Sequence, residues 1–177
     1  RILVCYKSGD YELTNFELTN RYEPNDVLLI EKFDPEKVLS AVYYDGGSKN
    51  YFVKRFQIET TTLNKKFNFI TDHRSSALKL ISSEKQPQVK AIVTKGKEEE
   101  EQVYDLDMII DVKGWKAMGN KLSSYPIKSL ELIAQKKEEK QSSKEEGKDE
   151  DSDEIEIGST VDLSPKKDSD EEQLGLF

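Results

Sequence analysis

Two stretches hold the side chains best suited to chemistry: Ser48-Lys-Asn-Tyr-Phe-Val-Lys-Arg-Phe-Gln-Ile-Glu59 and Asp111-Val-Lys-Gly-Trp-Lys-Ala-Met-Gly-Asn-Lys-Leu122. Each sets cationic groups among aromatic residues, and the second flanks Trp115 with glycines. Such groups make anion contacts. Lysine and arginine supply charge, and a glycine-flanked backbone brings its N–H groups close to phosphate oxygens. The combination suits a phosphodiester backbone better than a small substrate. In the first stretch, strand alternation sends Phe52, Lys54, Phe56 and Ile58 to one face and Tyr51, Val53, Arg55 and Gln57 to the other. Lys54 and Arg55 therefore diverge, and they serve equally well as edge charges that resist sheet-to-sheet pairing. In the second, Lys113, Lys116 and Lys121 crowd around Trp115, which reads as the packed anchor of a loop.

Other candidates are plainer. Lys49 follows a glycine turn, and Lys65 and Lys66 follow the Thr60-Thr61-Thr62 run, which reads as a connection between strands. His73 is the single histidine, set in a turn, and a lone imidazole is poor grounds for catalysis or metal binding. Cys5, the single cysteine, lies in an apolar strand and reads as inert core. It excludes an internal disulfide and a cysteine-based zinc site. No phosphate loop, dinucleotide fingerprint, catalytic carboxylate pair or nucleophile elbow occurs. The expectation is a non-enzymatic chain with no catalytic residue, metal site or cofactor of its own.

The elements that must position these groups read almost wholly as β. Strands are expected at Ile2–Tyr6, Tyr11–Leu18, Val27–Ile30, Val38–Tyr44, Tyr51–Ile58, Phe67–Ile70, Leu78–Ser82, Val89–Thr94, Val103–Met108 and Ile127–Ile133. Ser8-Gly9-Asp10 and Asp34-Pro35 mark turns. Asp45-Gly46-Gly47-Ser48 reads as a hairpin, its glycines tolerating positive φ, and Glu98–Glu101 reads as a solvated loop tip. Segments starting at Arg1 and Leu39 align loosely as strand, glycine turn and aromatic-started strand. That offset, about 40 residues, is the length of a four-stranded blade. The expected class is all-β, a meander, a barrel or a propeller-like array, and on that period residues 1–134 would hold about three blades.

Charge divides the chain near Ala134. Residues 1–134 contain 20 basic and 20 acidic residues, whereas residues 135–177 contain 7 and 15, which is the whole chain's net −8. The acidity is thus a property of the tail and does not argue against an anion-binding body, because local patches meet phosphates. Between Gln135 and Asp153 no large apolar side chain occurs, so this stretch is expected to be disordered. No apolar run suits a membrane span or a secretory signal, so no membrane partner and a cytoplasmic location are expected. Because Arg1 opens directly into a strand-like run, the chain reads as part of a longer polypeptide. At the other end, Gln173-Leu-Gly-Leu-Phe177 resembles the Gln-Leu-x-Leu-Phe peptide by which bacterial proteins dock on the DNA polymerase sliding clamp. Gln173, Leu174, Leu176 and Phe177 match that pattern, and Gly175 departs from its usual Ser or Asp.

Residues 49–60 and 112–123 also carry a family resemblance. The chain resembles the C-terminal domain of a bacterial type IIA DNA topoisomerase A subunit, more like topoisomerase IV than gyrase, over residues 1–134. The resemblance implies a β-pinwheel, blades of antiparallel strands whose basic rim binds and bends duplex DNA without sequence preference. The implied DNA contacts are Lys49, Lys54, Arg55, Lys65, Lys66, Lys113, Lys116 and Lys121. It further implies a parent enzyme that is an ATP-dependent type II topoisomerase, with magnesium and ATP used by other domains, an ATPase B subunit as partner, and a nucleoid location. Gyrase-type domains carry a Gln-Arg-Arg-Gly-Gly-Lys-Gly-like box, absent here, and the Lys113–Lys121 loop stands as its degenerate counterpart. Substrate capture for decatenation or relaxation then fits better than wrapping. The rival expectation is a protein-interaction module with an acidic tail.

Overall fold

A computed structural model describes residues 1–133. The expected disordered tail and its terminal clamp-like peptide lie outside the described residues. Within them the chain forms β1 (Ile2–Tyr6), β2 (Asp10–Thr14), β3 (Val27–Lys32), β4 (Leu39–Asp45), β5 (Asn50–Phe56), β6 (Phe67–Asn68), β7 (Ala77–Ser82), β8 (Gln88–Lys95), β9 (Glu98–Asp105), a four-residue helix α1 (Leu106–Ile109), β10 (Asn120–Lys121) and β11 (Ile127–Ile133). They make three antiparallel sheets, ordered β3-β1-β2-β6, β10-β5-β4-β7 and β11-β8-β9.

The three sheets share one plan. A hairpin (β1–β2, β4–β5 or β8–β9) is followed by a long segment and then by a strand that returns to pair with the hairpin's first strand. In the second and third repeats that long segment also reaches back to the preceding sheet. There it adds a two-residue strand: β6 beside β2, β10 beside β5.

Period-2 alternation lets the middle sheet serve two cores. Leu39, Ala41, Tyr43 and Phe56 pack with Leu3, Cys5, Tyr11 and Leu13 of the first sheet. Val42 and Val53, on the opposite face, pack with Val89 of the third sheet and with Leu106, Ile110 and Leu122. Burying each of the leucines, valines, Ile110 and Phe56 contributes about 1.5–3 kcal/mol. Cys5 is fully buried, and desolvation pushes its thiol well above the usual range, which keeps it unreactive.

Four local expectations are corrected. The strand expected at Tyr11–Leu18 ends at Thr14, and the one expected at Val103–Met108 ends at Asp105, where α1 begins. Glu98–Glu101 is no loop tip but the first half of β9, because cross-strand lysines neutralise it: Lys95 pairs with Glu100, and Lys90 with Glu101 at 3.6 Å. The tip is Gly96 and Lys97. In the β4–β5 hairpin the positive φ falls on Lys49 (57°), not on the glycines. The loop closes with Lys49 N–H on the Asp45 carbonyl at 2.8 Å. Gly46 is needed for space, since a Cβ there would overlap the His73 ring and press on Ser75.

Candidate nucleic-acid interface

The middle sheet's edge is built by a segment running antiparallel to β5 from Lys113 to Leu122. Lys113 N–H donates to the Arg55 carbonyl at 2.8 Å, Asn120 and Lys121 pair with Val53 and Phe52, and Leu122 N–H donates to the Tyr51 carbonyl at 2.9 Å. Side chains of the middle sheet hold this segment, and the stretch leading into it, by their carbonyls. Lys54 Nζ donates to the Trp115 carbonyl at 2.7 Å, Tyr43 OH to Met118 at 2.7 Å, and Arg55 Nη1 to Asp107 and Ile110 at 3.4 and 3.5 Å. Gly119 permits the close approach: its φ is +95°, and a Cβ would overlap the Val53 carbonyl oxygen.

Trp115 is half-buried, edge-on to Tyr11 and Phe67 with ring centroids 5.8 and 6.0 Å away. With the backbone and the indole so fixed, the Lys113, Lys116 and Lys121 side chains are left exposed. Lys116 Nζ sits 5.1 Å from the Trp115 ring centre, and Lys65 Nζ 5.3 Å from that of Phe67. Lys66 Nζ lies over Tyr6 at 4.2 Å. Each contact is worth about 0.5–1 kcal/mol at an exposed site and leaves N–H groups free for an anion. One cationic-aromatic surface thus joins β6 of the first sheet to the edge of the second.

Of the eight residues named for the interface, six are exposed: Lys49, Lys65, Lys66, Lys113, Lys116 and Lys121. Lys49 stands at the β5 end nearest Lys121, on a turn that Asp45 secures. The Asp45 carboxylate accepts from the Ser48 N–H at 2.8 Å and the Thr71 hydroxyl at 2.6 Å, which hold its pKa well below the carboxylate range. Lys54 does not belong at the surface. It is buried (3% exposed), with Nζ on the Phe69 and Trp115 carbonyls and within 5.7 Å of the Phe56 and Phe69 ring centres. Burial lowers its pKa to about 8. Arg55 is half-buried and engaged, its Nε donating to Ser40 Oγ at 3.2 Å. The pair diverges as alternation requires, yet both side chains turn inward because loop carbonyls need donors. Tyr6, Phe67 and Tyr43 went unnoticed as parts of the site. The Phe67-Asn68-Phe69 alternation beside Lys65 and Lys66 was the one signal available.

The charge pattern separates the sheets. Lys90, Lys95 and Lys128, all on the third sheet, are paired with Glu131, Glu101, Glu100 and Glu99. Among the described residues, none of the six exposed interface lysines is in an ion pair. Free positive charge therefore lines the first two sheets, whereas on the third the strand lysines are paired and the exposed Lys97 stands at the hairpin tip. The distance along β5 from Tyr51 to Arg55 is about 13 Å at strand rise, or about four base pairs of duplex.

A family model described as the topoisomerase C-terminal domain of Bacteroidota matches residues 1–135. A crystal structure of the C-terminal domain of DNA topoisomerase IV superposes with a TM-score of 0.50 at 16% identity, over 76% of this chain and 47% of that one. The present chain thus spans about half the length of that solved domain. No curated protein sequence matches. Among the described residues no helix is long and apolar enough to cross a membrane. The three sheets are a partial β-pinwheel, and the chain belongs to the topoisomerase C-terminal domain family of Bacteroidota.

Proposed function

We propose that this domain binds duplex DNA through its sugar–phosphate backbone, without sequence preference, and presents bent DNA to a catalytic core elsewhere in the parent enzyme. The observation that carries the reading is the unpaired lysine row along the β5 edge, continuous with the Lys65–Phe67–Trp115–Lys116 surface, while the strand lysines of the third sheet are neutralised. Point charges on a rigid strand edge suit phosphates, and no side-chain fork in the row is placed to read base edges. The parent is then an ATP-dependent type II topoisomerase acting in the cytoplasm on the nucleoid. Its ATP, magnesium and B subunit belong to its other parts, and decatenation or relaxation fits better than wrapping. The terminal Gln173–Phe177 peptide would add a sliding clamp as a partner.

The test is duplex affinity against salt for the wild type and for the K113Q/K116Q/K121Q variant. Each phosphate contact contributes about 0.9 to the slope of log K against log salt. Losing three should flatten the slope by ~2.7 and weaken binding to all sequences alike. A wild-type affinity indifferent to salt, or a variant that binds as the wild type does, refutes the proposal.

A further inference from the structure

The lysine row along β5 ends at Lys49, and Lys49 lines a cavity. The other side of that cavity comes from the third repeat. After Leu122, buried as a plug in the second core at 5% exposure, the chain runs through Ser123 and Tyr125 toward β11. Between this connection and the β4–β5 hairpin lies a space of about 370 Å³, walled by Tyr44, Tyr51 and Tyr125, with Asn50 and Ser123 beside Lys49. Small-ligand sites measure about 300–1,000 Å³.

Register and packing set the walls. Tyr44 and Tyr51 stand directly opposite one another on β4 and β5, ring centroids 5.2 Å apart and planes at 59°. Tyr51 is held in place by packing on the second core. Tyr125 forms the outer wall, 46% exposed. Lys95, tied to Glu100, lies over its ring with Nζ 5.1 Å from the centre. Among the described residues none of the three tyrosine hydroxyls has a hydrogen-bond partner, and Lys49 is in no ion pair. No carboxylate lines the cavity.

Those features select the ligand. A cation would meet the Lys49 ammonium with nothing to offset the repulsion. A wholly apolar ligand would strip water from the hydroxyls and return no hydrogen bond. A planar base with its phosphate suits every group: the rings take its faces, the hydroxyls its polar edge and Lys49 its phosphate. We propose that this tyrosine cavity receives one unstacked nucleotide of the DNA held on the lysine row, so that the domain prefers duplex containing an unpaired base. The proposal rests on the DNA-binding reading and deepens it, because Lys49 belongs both to the row and to the cavity. Stacking on aromatic walls tolerates any base, so the site adds no sequence preference. In intact duplex the cost of unstacking opposes entry; at an unpaired base that cost is least.

Fluorescence-anisotropy titrations of the whole chain test it with three duplexes: intact, with a single-base bulge, and with an abasic bulge. Both bulges ease bending, but only one offers a ring. The base bulge should bind at least about fivefold more tightly than the abasic one. In Y125A that preference should disappear, while affinity for intact duplex and its salt slope keep their wild-type values and show that the variant is folded. Equal affinity for the two bulges in the wild type overturns the proposal and leaves the DNA-binding reading standing. A preference of full size in Y125A does the same. Failure to bind any of the duplexes overturns both readings. Thymidine monophosphate should displace the base bulge only at millimolar concentration. Displacement at micromolar concentration overturns the assignment to a DNA strand and makes the cavity a site for free nucleotides.

Discussion

Replacing the buried Lys54 by methionine tests the internal logic of the interface. The methionine keeps an unbranched stem between Phe56 and Phe69 but cannot donate to the Phe69 and Trp115 carbonyls. Two effects oppose one another at neutral pH: removing a buried charge is favourable, and stranding two carbonyls costs about 1–3 kcal/mol each. Their pH dependence separates them. Burial lowers the Lys54 pKa from 10.5 to about 8, so above about pH 8 the native state has shed a proton that the unfolded chain still holds. The unfolded state then binds more protons, and stability rises with pH. The penalty for burying the charge is fully present below about pH 8 and is relieved as pH rises toward the unfolded value. At about 1.4 kcal/mol per unit, the gain between about pH 8 and about pH 9.5 is ~2 kcal/mol. The Cys5 thiol, which burial raises, acts in the opposite sense from about pH 9, and Tyr6, Tyr11, Tyr43 and Tyr51 do so above about pH 10, all of them common to both proteins. Urea unfolding followed by fluorescence of Trp115, the single tryptophan, measures the effect. The margin of wild type over K54M should widen by ~2 kcal/mol across that interval. Parallel stability curves for the two proteins would refute the account of Lys54 as a desolvated cation.

Substituting Gly119→Ala should destabilise by several kcal/mol, about 1–2 from the left-handed backbone alone and more from the overlap with the Val53 carbonyl. A urea midpoint indistinguishable from wild type would show that the segment does not approach β5 so closely. Deleting residues 135–177 removes a net −8. If that charge competes with DNA for the lysine row, the truncated chain should bind duplex more tightly, most of all at low salt. Equal or weaker binding in a gel-shift comparison excludes the competition.

Much of the architecture was legible because β periodicity is a local property. The strands at Ile2–Tyr6 and Ile127–Ile133 lie where apolar alternation puts them, and the β5 faces divide between two cores as period 2 demands. Crossing strands were harder. β10 is two residues long, too short to leave a periodic trace, and β6 is equally short. The glutamates of β9 looked like a loop because the lysines that neutralise Glu99, Glu100 and Glu101 come from β8 and β11. Lys54 illustrates the limit at the site itself. Its burial depends on carbonyls 15 and 61 residues away, and nothing in its own strand distinguishes it from a surface charge. The exposed lysines were legible since turns and glycine-flanked loops place them outside whatever the packing.

Lacing by β6 and β10 makes the cooperative unit differ from the repeat written in the sequence. A proteolytic cut or truncation between β7 and β8 would sever no strand of the middle sheet, yet would leave that sheet without β10 and without the plug Leu122. Stability in such an array resides in nearest-neighbour coupling as much as in each sheet. A torque applied to the β5 edge would therefore be borne by residues contributed from the following repeat.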